Sequence, residues 1–418
     1  RWSGDWSSDV CSSDLAINSN FSLGFSYERG NEYSFRFIYK KDAKDSKKTY
    51  KYKQATYDDN ENKYSKLIKN LENNEIGVNK ITKIGNSLGI ELTQFAHPSI
   101  EMIEEIISFS ASDADVDDDL KINLKTANLS VVQNFDEEDG LNIYTKNKKS
   151  GLNTNTFLNF RPYLASREEF LKGALLIENN SEYIFNDAFF FHANIKYSLA
   201  DNFDDLTIPP VNTYPAQVRS DVKDYLRNID QGIIIGRAQF DYHITPKKNH
   251  HLMFTGGILE EMFSGYGFEY LYFQYDKNYA FGFELFDVVK RDHEMRFGTL
   301  DYKNVVGSIN FYHRNYSRIP FDTKISYGEY LAGDEGVTFD FSRTFQNGTK
   351  FGVFATFTDV SSEQFGEGTF DKGIYFNIPI YKNFINYSWR PLTKDPGAKL
   401  NRKNSLHDLL IKFKPYNY

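Results

Sequence analysis

Val337-Thr338-Phe339-Asp340-Phe341-Ser342 and Phe351-Gly352-Val353-Phe354-Ala355-Thr356-Phe357-Thr358 alternate apolar with polar residues, and Ile374-Tyr375-Phe376-Asn377-Ile378 repeats the pattern. Period-two alternation sends one set of side chains to each face of a sheet. One face here is bulky and apolar; the other carries Asp340, Ser342, Thr356 and Asn377. Such a sheet either packs its apolar face on a core or closes into a barrel with lipid outside and water inside. The fold turns on that choice.

The same writing extends in both directions from these strands. Phe189 to Tyr197, Gly232 to Tyr242, His251 to Ile258, Phe268 to Tyr275, Phe281 to Val288 and Val305 to Tyr312 all read as strands. Turn signals at Thr245-Pro246-Lys247-Lys248-Asn249, Tyr275-Asp276-Lys277-Asn278 and Gln346-Asn347-Gly348-Thr349 join neighbours as hairpins. Hairpins without intervening helices favour antiparallel up-and-down order. Residues 151–418 at this spacing hold roughly 12 to 16 strands, many for an open sheet, and closure removes the exposed edges. The expectation is mainly β: an antiparallel transmembrane β-barrel over 151–418.

Upstream the character changes. Leu67, Ile68 and Leu71 share one face of a helix starting near Tyr64, and Ser99 to Ile107 forms a second amphipathic helix after Pro98. Ile76 to Ile81, Ser87 to Leu92, Leu120 to Leu124 and Leu129 to Val132 read as short strands, so residues 64–135 form a small α/β module. Linkers are expected at 41–63 and 136–150. Phe21 to Tyr27 and Tyr33 to Tyr39 flank a polar turn and make a hairpin over 16–40, marginal alone and so the remnant of a larger upstream barrel. Residues 1–15 read as the in-frame translation of a sequencing-library adapter, which makes Trp2, Trp6 and Cys11 extraneous and the chain a fragment.

Composition narrows the function classes. Cys11 is the sole cysteine, so disulfide scaffolds, thiolate metal sites and cysteine nucleophiles are excluded. A net charge of −8 with only short clusters such as Lys40-Lys41 and Lys47-Lys48 argues against a nucleic-acid partner. Aromatics reach 17% while mean hydropathy is −0.55, and no stretch approaches the ~20 apolar residues of a membrane helix. A transmembrane β-barrel with aromatic girdles has this combination; so does a large soluble β protein.

Catalytic motifs are thin. There is no GxSxG, HExxH, P-loop or dinucleotide fingerprint. The acidic loop Asp113-Asp115-Asp117-Asp118-Asp119 lacks calcium-loop spacing, and His250-His251 reads as a loop feature beside lysines. Neither metal nor cofactor is expected. Glu260, Glu261, Glu363, Glu367 and Asp371 are the carboxylates that a polysaccharide-modifying enzyme would use; residues of a polar lumen give the same set. Charges inside strands weigh more. Arg237, Glu284, Asp340 and Arg343 sit among Phe, Tyr and Ile, where an apolar core would penalise them by several kcal/mol each but a wet lumen would not.

Several blocks resemble one family. Pro215 to Asp221, Gly257 to Glu269, Val289-Lys290-Arg291-Asp292, Gly328 to Thr338 and Ser342 to Gly348 are similar to signature blocks of the YjbH-type outer-membrane proteins of exopolysaccharide and group 4 capsule loci. So are Phe365-Gly366-Glu367-Gly368-Thr369-Phe370-Asp371-Lys372-Gly373-Ile374 and Trp389-Arg390-Pro391-Leu392. The resemblance implies a lipoprotein-like, Gram-negative outer-membrane β-barrel with a periplasmic α/β module. Its implied role is non-catalytic help in secreting or assembling a polysaccharide, beside outer-membrane lipids and other envelope proteins of the locus. Arg219, Asp221, Glu260, Glu261, Glu284, Arg291, Asp334, Asp340, Arg343, Glu367, Asp371, Lys372 and Arg390 are the candidates to face the polymer. Leu409, Ile411 and Phe413 alternate toward a terminal Tyr418, as a closing strand would, until Pro415 interrupts them. The remaining alternative is a soluble β-rich carbohydrate-binding protein.

Overall fold

The computed structural model describes residues 2–7, 10–16, 21–28, 32–39, 51–58, 60–94, 97, 100–136, 140–146, 150–164, 171–207, 216–345, 349–365, 370–381, 385–389 and 395–411. The chain falls into two units: residues 1–49, 344–350 and 378–387 form one, and the rest form the other. The first holds an antiparallel sheet of β1 (Trp2–Ser7), β2 (Val10–Ala16), β3 (Phe21–Glu28) and β4 (Glu32–Tyr39), paired in that order. The hairpin read from sequence is β3–β4, with Phe25 opposite Phe35. The adapter-like residues extend it as two more strands.

The second unit opens with the α/β module. Helix α1 (Lys63–Asn73) starts at Asn62, whose Oδ1 accepts the Ser65 backbone N–H at 2.8 Å as an N-cap. It precedes β5 (Ile76–Ile84) and β6 (Ser87–Gln94); α2 (Ile100–Asp113) then crosses over to β7 (Asp119–Thr126), parallel to β6, and β8 (Leu129–Gln133) follows. Leu67 and Leu71 of α1 and Ile103, Ile106 and Ile107 of α2 bury the apolar stripe that the sequence spaced at helical period, against Val78, Ile81, Leu88 and Ile90. The expected linker 136–150 is in part a fifth strand: β9 (Leu141–Thr145) pairs with β5. Ser99, where the second helix is expected to begin, lies outside the described residues.

Thirteen strands form the third sheet, each paired with its sequence neighbours. They are β10 (Gly151–Leu164), β11 (Leu171–Ile184), β12 (Phe189–Asp201), β13 (Ile233–Lys247), β14 (His250–Ile258), β15 (Phe263–Phe273) and β16 (Tyr279–Arg291), then β17 (Thr299–Asn315), β18 (Phe321–Glu329), β19 (Glu335–Thr344), β20 (Lys350–Thr358), β21 (Asp371–Tyr381) and β22 (Ile385–Trp389). Short helices α3 (Val222–Arg227), α4 (Ser362–Phe365) and α5 (Leu406–Ile411) lie outside it. Two local readings change. His250-His251 begins β14 instead of a loop, and β13 runs on through Pro246 because a register shift between Ile244 and Lys247 accommodates a residue without an N–H. The alternation around Leu409 and Ile411 belongs to α5, which buries Leu406 and Leu410; Phe413, Pro415 and Tyr418 lie outside the described residues, as does the turn at Gln346-Asn347-Gly348.

The sidedness of this sheet is inverted relative to a water-soluble one. Along β13, Gln239 and Asp241 are 0% exposed while the intervening Phe240 and the following Tyr242 are each 43% exposed. On β17, Asn310 is 2% exposed and its neighbour Ile309 62%. Thr255, Glu269, Ser326, Thr338 and Thr356 are likewise buried, and Phe254, Phe281, Tyr327, Phe341, Phe351 and Phe357 exposed. Polar residues line the middle of the covered side, with Met253 and Leu271 buried toward one end and Phe286 and Val288 toward the other; large apolar residues face out.

Both ends of the covered side carry caps. At the short-turn end the module docks: Asn128 Nδ2 donates to the His243 carbonyl at 2.9 Å, Thr245 Oγ1 accepts from the Ser130 N–H at 3.0 Å, and Tyr275 donates to Glu101 at 3.3 Å. Met253, Leu271, Phe273 and Tyr312 extend the module's apolar core there. At the other end the β12–β13 connection brings Phe203, Leu206, Val218, Tyr225 and Leu226 onto Leu259, Met262, Phe263 and Leu331.

Candidate functional site

Cross-strand register assembles a belt of polar groups on the covered side. Glu269 of β15 and Glu284 of β16 are direct partners. Arg402 donates from Nη2 to Glu269 at 2.6 Å and to Glu284 at 2.7 Å. From Glu284 the belt continues through Ser308 Oγ (2.8 Å) and Asn310 (3.0 Å) to Ser326, whose hydroxyl donates to Asn310 Oδ1 at 2.7 Å. On the other flank Asp241 accepts from Gln239 Nε2 at 2.8 and 2.9 Å and from Thr255 at 2.7 Å, with His192 Nε2 at 3.2 Å. Tyr330, Thr338 and Thr356 form a further chain at 2.7 and 2.9 Å. A buried polar belt is tolerable because each member has a partner.

Arg402 belongs to residues 395–411, which follow this belt from one end to the other. Asp395 Oδ1 accepts the backbone N–H groups of Val218, Arg219 and Ser220 at 2.9, 2.7 and 2.8 Å, and the Ala398 carbonyl accepts from the Leu331 N–H at 2.9 Å. Further on, Arg237 donates to the Asn401 carbonyl, the Lys403 N–H to Gln239 Oε1, and Asn404 to Asp241. The segment ends beside the module, where His407 stacks on Tyr312 at 3.8 Å and Leu406 and Leu410 enter the module's core.

Six of the sequence-derived candidates meet at the end away from the module. Arg219 bonds both oxygens of Glu260 at 2.8 and 3.0 Å and the Lys399 carbonyl at 2.8 Å. Its guanidinium lies over the Phe263 ring. Glu261 takes Arg161 at 2.9 Å and Lys196 at 2.8 Å. Asp221 pairs with Lys290. Arg291, 0% exposed, donates to the carbonyls of Ile235, Glu260, Glu261 and Arg296. Asp334 Oδ2 accepts the Gly397 N–H at 2.7 Å.

The adjacent carboxylates Glu260 and Glu261 diverge. Burial raises both; for Glu260 it outweighs Arg219 and leaves the group above the usual range, whereas Arg161 and Lys196 together pull Glu261 well below it. For Asp334 burial dominates and lifts the carboxyl to about 6.

The remaining candidates lie elsewhere. Glu284 is in the central belt, as its placement among aromatic strand residues anticipates. Asp340 of β19 accepts from the Tyr375 hydroxyl at 2.7 Å, Arg343 is half-buried on the same strand, and Asp371 and Lys372 begin β21, with Lys372 over the Phe370 ring. Glu367 and Arg390 lie outside the described residues. Glu363 is exposed on α4, while Glu260 and Glu261 are each bound to cations. Sequence reading missed Glu269, Asp241 and Gln239, although Gln239-Phe240-Asp241-Tyr242-His243 alternates plainly. For Arg402 there was no signal, since residues 398–402 carry no regular period.

A consecutively paired antiparallel sheet, with a belt of buried polar and charged groups on its covered side and large apolar residues on its open side, defines a mainly β protein. Residues 110–412 match the family model YjbH, described as exopolysaccharide biosynthesis protein YbjH. The chain belongs to that family. It is also similar to the uncharacterized lipoprotein YjbH of Escherichia coli (strain K12), 34% identical over 226 residues. That match takes in 51% of this chain and 32% of the relative, so the chain spans about a third of the relative's length.

Proposed function

We propose that the thirteen-stranded sheet is the wall of an outer-membrane β-barrel in a Gram-negative envelope, and that it helps move or assemble an exopolysaccharide across that membrane without catalysing a bond change. The inverted sidedness carries this reading. In water, exposing Phe240, Tyr242, Phe254, Phe281, Ile309 and Phe357 while burying Asp241 and Glu269 inverts the usual cost of desolvation; in lipid both placements are favourable. The module at the short-turn end then faces the periplasm, where other envelope proteins of the polymer pathway are its partners. The family match supports the polysaccharide as cargo. A non-catalytic role is supported by Glu260 and Glu261, both bound to cations on a capped rim.

Deleting the native gene from a polymer-producing strain tests the role. Loss of surface polymer with polymer retained inside the envelope supports it, provided the intact gene restores secretion. Unchanged surface polymer contradicts it, and polymer of altered linkage or length points to an enzyme instead.

A further inference from the structure

We propose that residues 395–411 are a displaceable plug, latched by Arg402, lying on the track that a polyhydroxylated sugar chain occupies when the plug withdraws. The inference rests on the membrane-barrel reading and adds to it how the interior is closed.

Two features distinguish a plug from permanent filling. Its apolar anchoring is confined to its ends, at Ala398 and Leu400 in one cap cluster and at Leu406 and Leu410 in the other. Between them residues 401–405 have no regular backbone structure and meet the sheet through hydrogen bonds and ion pairs, with the Arg402 guanidinium over the Phe286 ring. Water or sugar hydroxyls replace such bonds at small net cost, whereas an apolar contact has no aqueous substitute.

The groups that line the track suit a sugar. Glu269 and Glu284 accept hydroxyl donors, Gln239 and Asn310 offer both donor and acceptor, and Thr255 and Ser326 add hydroxyls. Arg402 is the latch because it alone joins the plug to both members of a like-charged pair. While it is bound, its single positive charge lies between the two carboxylates and offsets their repulsion; on withdrawal they repel and favour hydrated, hydroxyl-rich company.

The full chain reconstituted in phospholipid vesicles, with swelling followed in raffinose and stachyose, tests this. Arg402→Ala alone leaves two unpaired carboxylates and risks misfolding. The decisive variant is therefore Arg402→Gln with Glu269→Gln and Glu284→Gln, which removes the latch and the repulsion together. The unsubstituted protein is expected to be nearly impermeable and the triple variant to swell faster by about tenfold or more. A folded triple variant as tight as the parent, or a parent already as permeable as the variant, overturns the plug but leaves the export role standing. Failure of both proteins to insert overturns the membrane reading, and the plug with it.

Discussion

Glu269 and Glu284 stand directly opposite each other on β15 and β16, and one guanidinium, that of Arg402, holds both. Two carboxylates at cross-strand distance repel unless a cation lies between them. A residue 118 positions away from Glu284 thus fixes the C-terminal segment onto the middle of the sheet.

Removing that cation has a predictable cost. Arg402→Ala strands two mostly buried charges and is expected to destabilise the fold by roughly 3–5 kcal/mol. Adding Glu269→Gln and Glu284→Gln recovers most of the loss. Unfolding midpoints in denaturant for the single and triple variants check this; equal midpoints contradict the pairing.

Asp334 gives the fold a pH dependence. Its folded pKa of about 6 lies above the ordinary 3.8, so the protonated form is favoured on folding. The penalty is absent below the unfolded value, grows as pH rises between the two, and is complete above about 6. Asp334→Asn is therefore expected to be nearly neutral at pH 4 and stabilising by on the order of 2–3 kcal/mol at pH 8. Denaturation of both proteins across that range measures it; a constant difference contradicts the assignment.

Arg291 is held by geometry as much as charge. Its buried fork serves four carbonyls, which a lysine ammonium on a different stem does not reach together. Arg291→Lys should lose about 2 kcal/mol or more through stranded acceptors. A melting temperature within error of the parent sinks the prediction.

Ile309 is the position that distinguishes a lipid-facing sheet from a water-facing one. It is 62% exposed in mid-strand, so Ile309→Arg is nearly silent in a soluble protein but costs ~2–4 kcal/mol near a bilayer midplane. Folding yield into vesicles, compared with an arginine at the expected-silent module position Glu105, reads the difference.

The sheet, its strand order and the module were legible in sequence because period-two and period-3.6 patterns are local. Glu284 was legible for the same reason, as a charge interrupting an aromatic strand. The rim cluster emerged as residue types, yet its pairings were not, since Arg219–Glu260 and Lys290–Asp221 join residues far apart in the chain. Strand β9 was missed because five residues between polar stretches resemble a linker until β5 supplies the partner. Residues 395–411 were the largest omission. Their position depends on a belt that exists only after eight or more strands have paired, and α5 imitates strand alternation at Leu409 and Ile411.

The central claim is that the sheet's apolar side faces lipid. The most direct measurement separates the membranes of cells carrying the full native gene and runs the outer-membrane fraction on a gel with and without heating. The account predicts that the protein is in that fraction and that its band shifts on heating, as a closed barrel opens. A soluble periplasmic protein whose mobility ignores heat would contradict it.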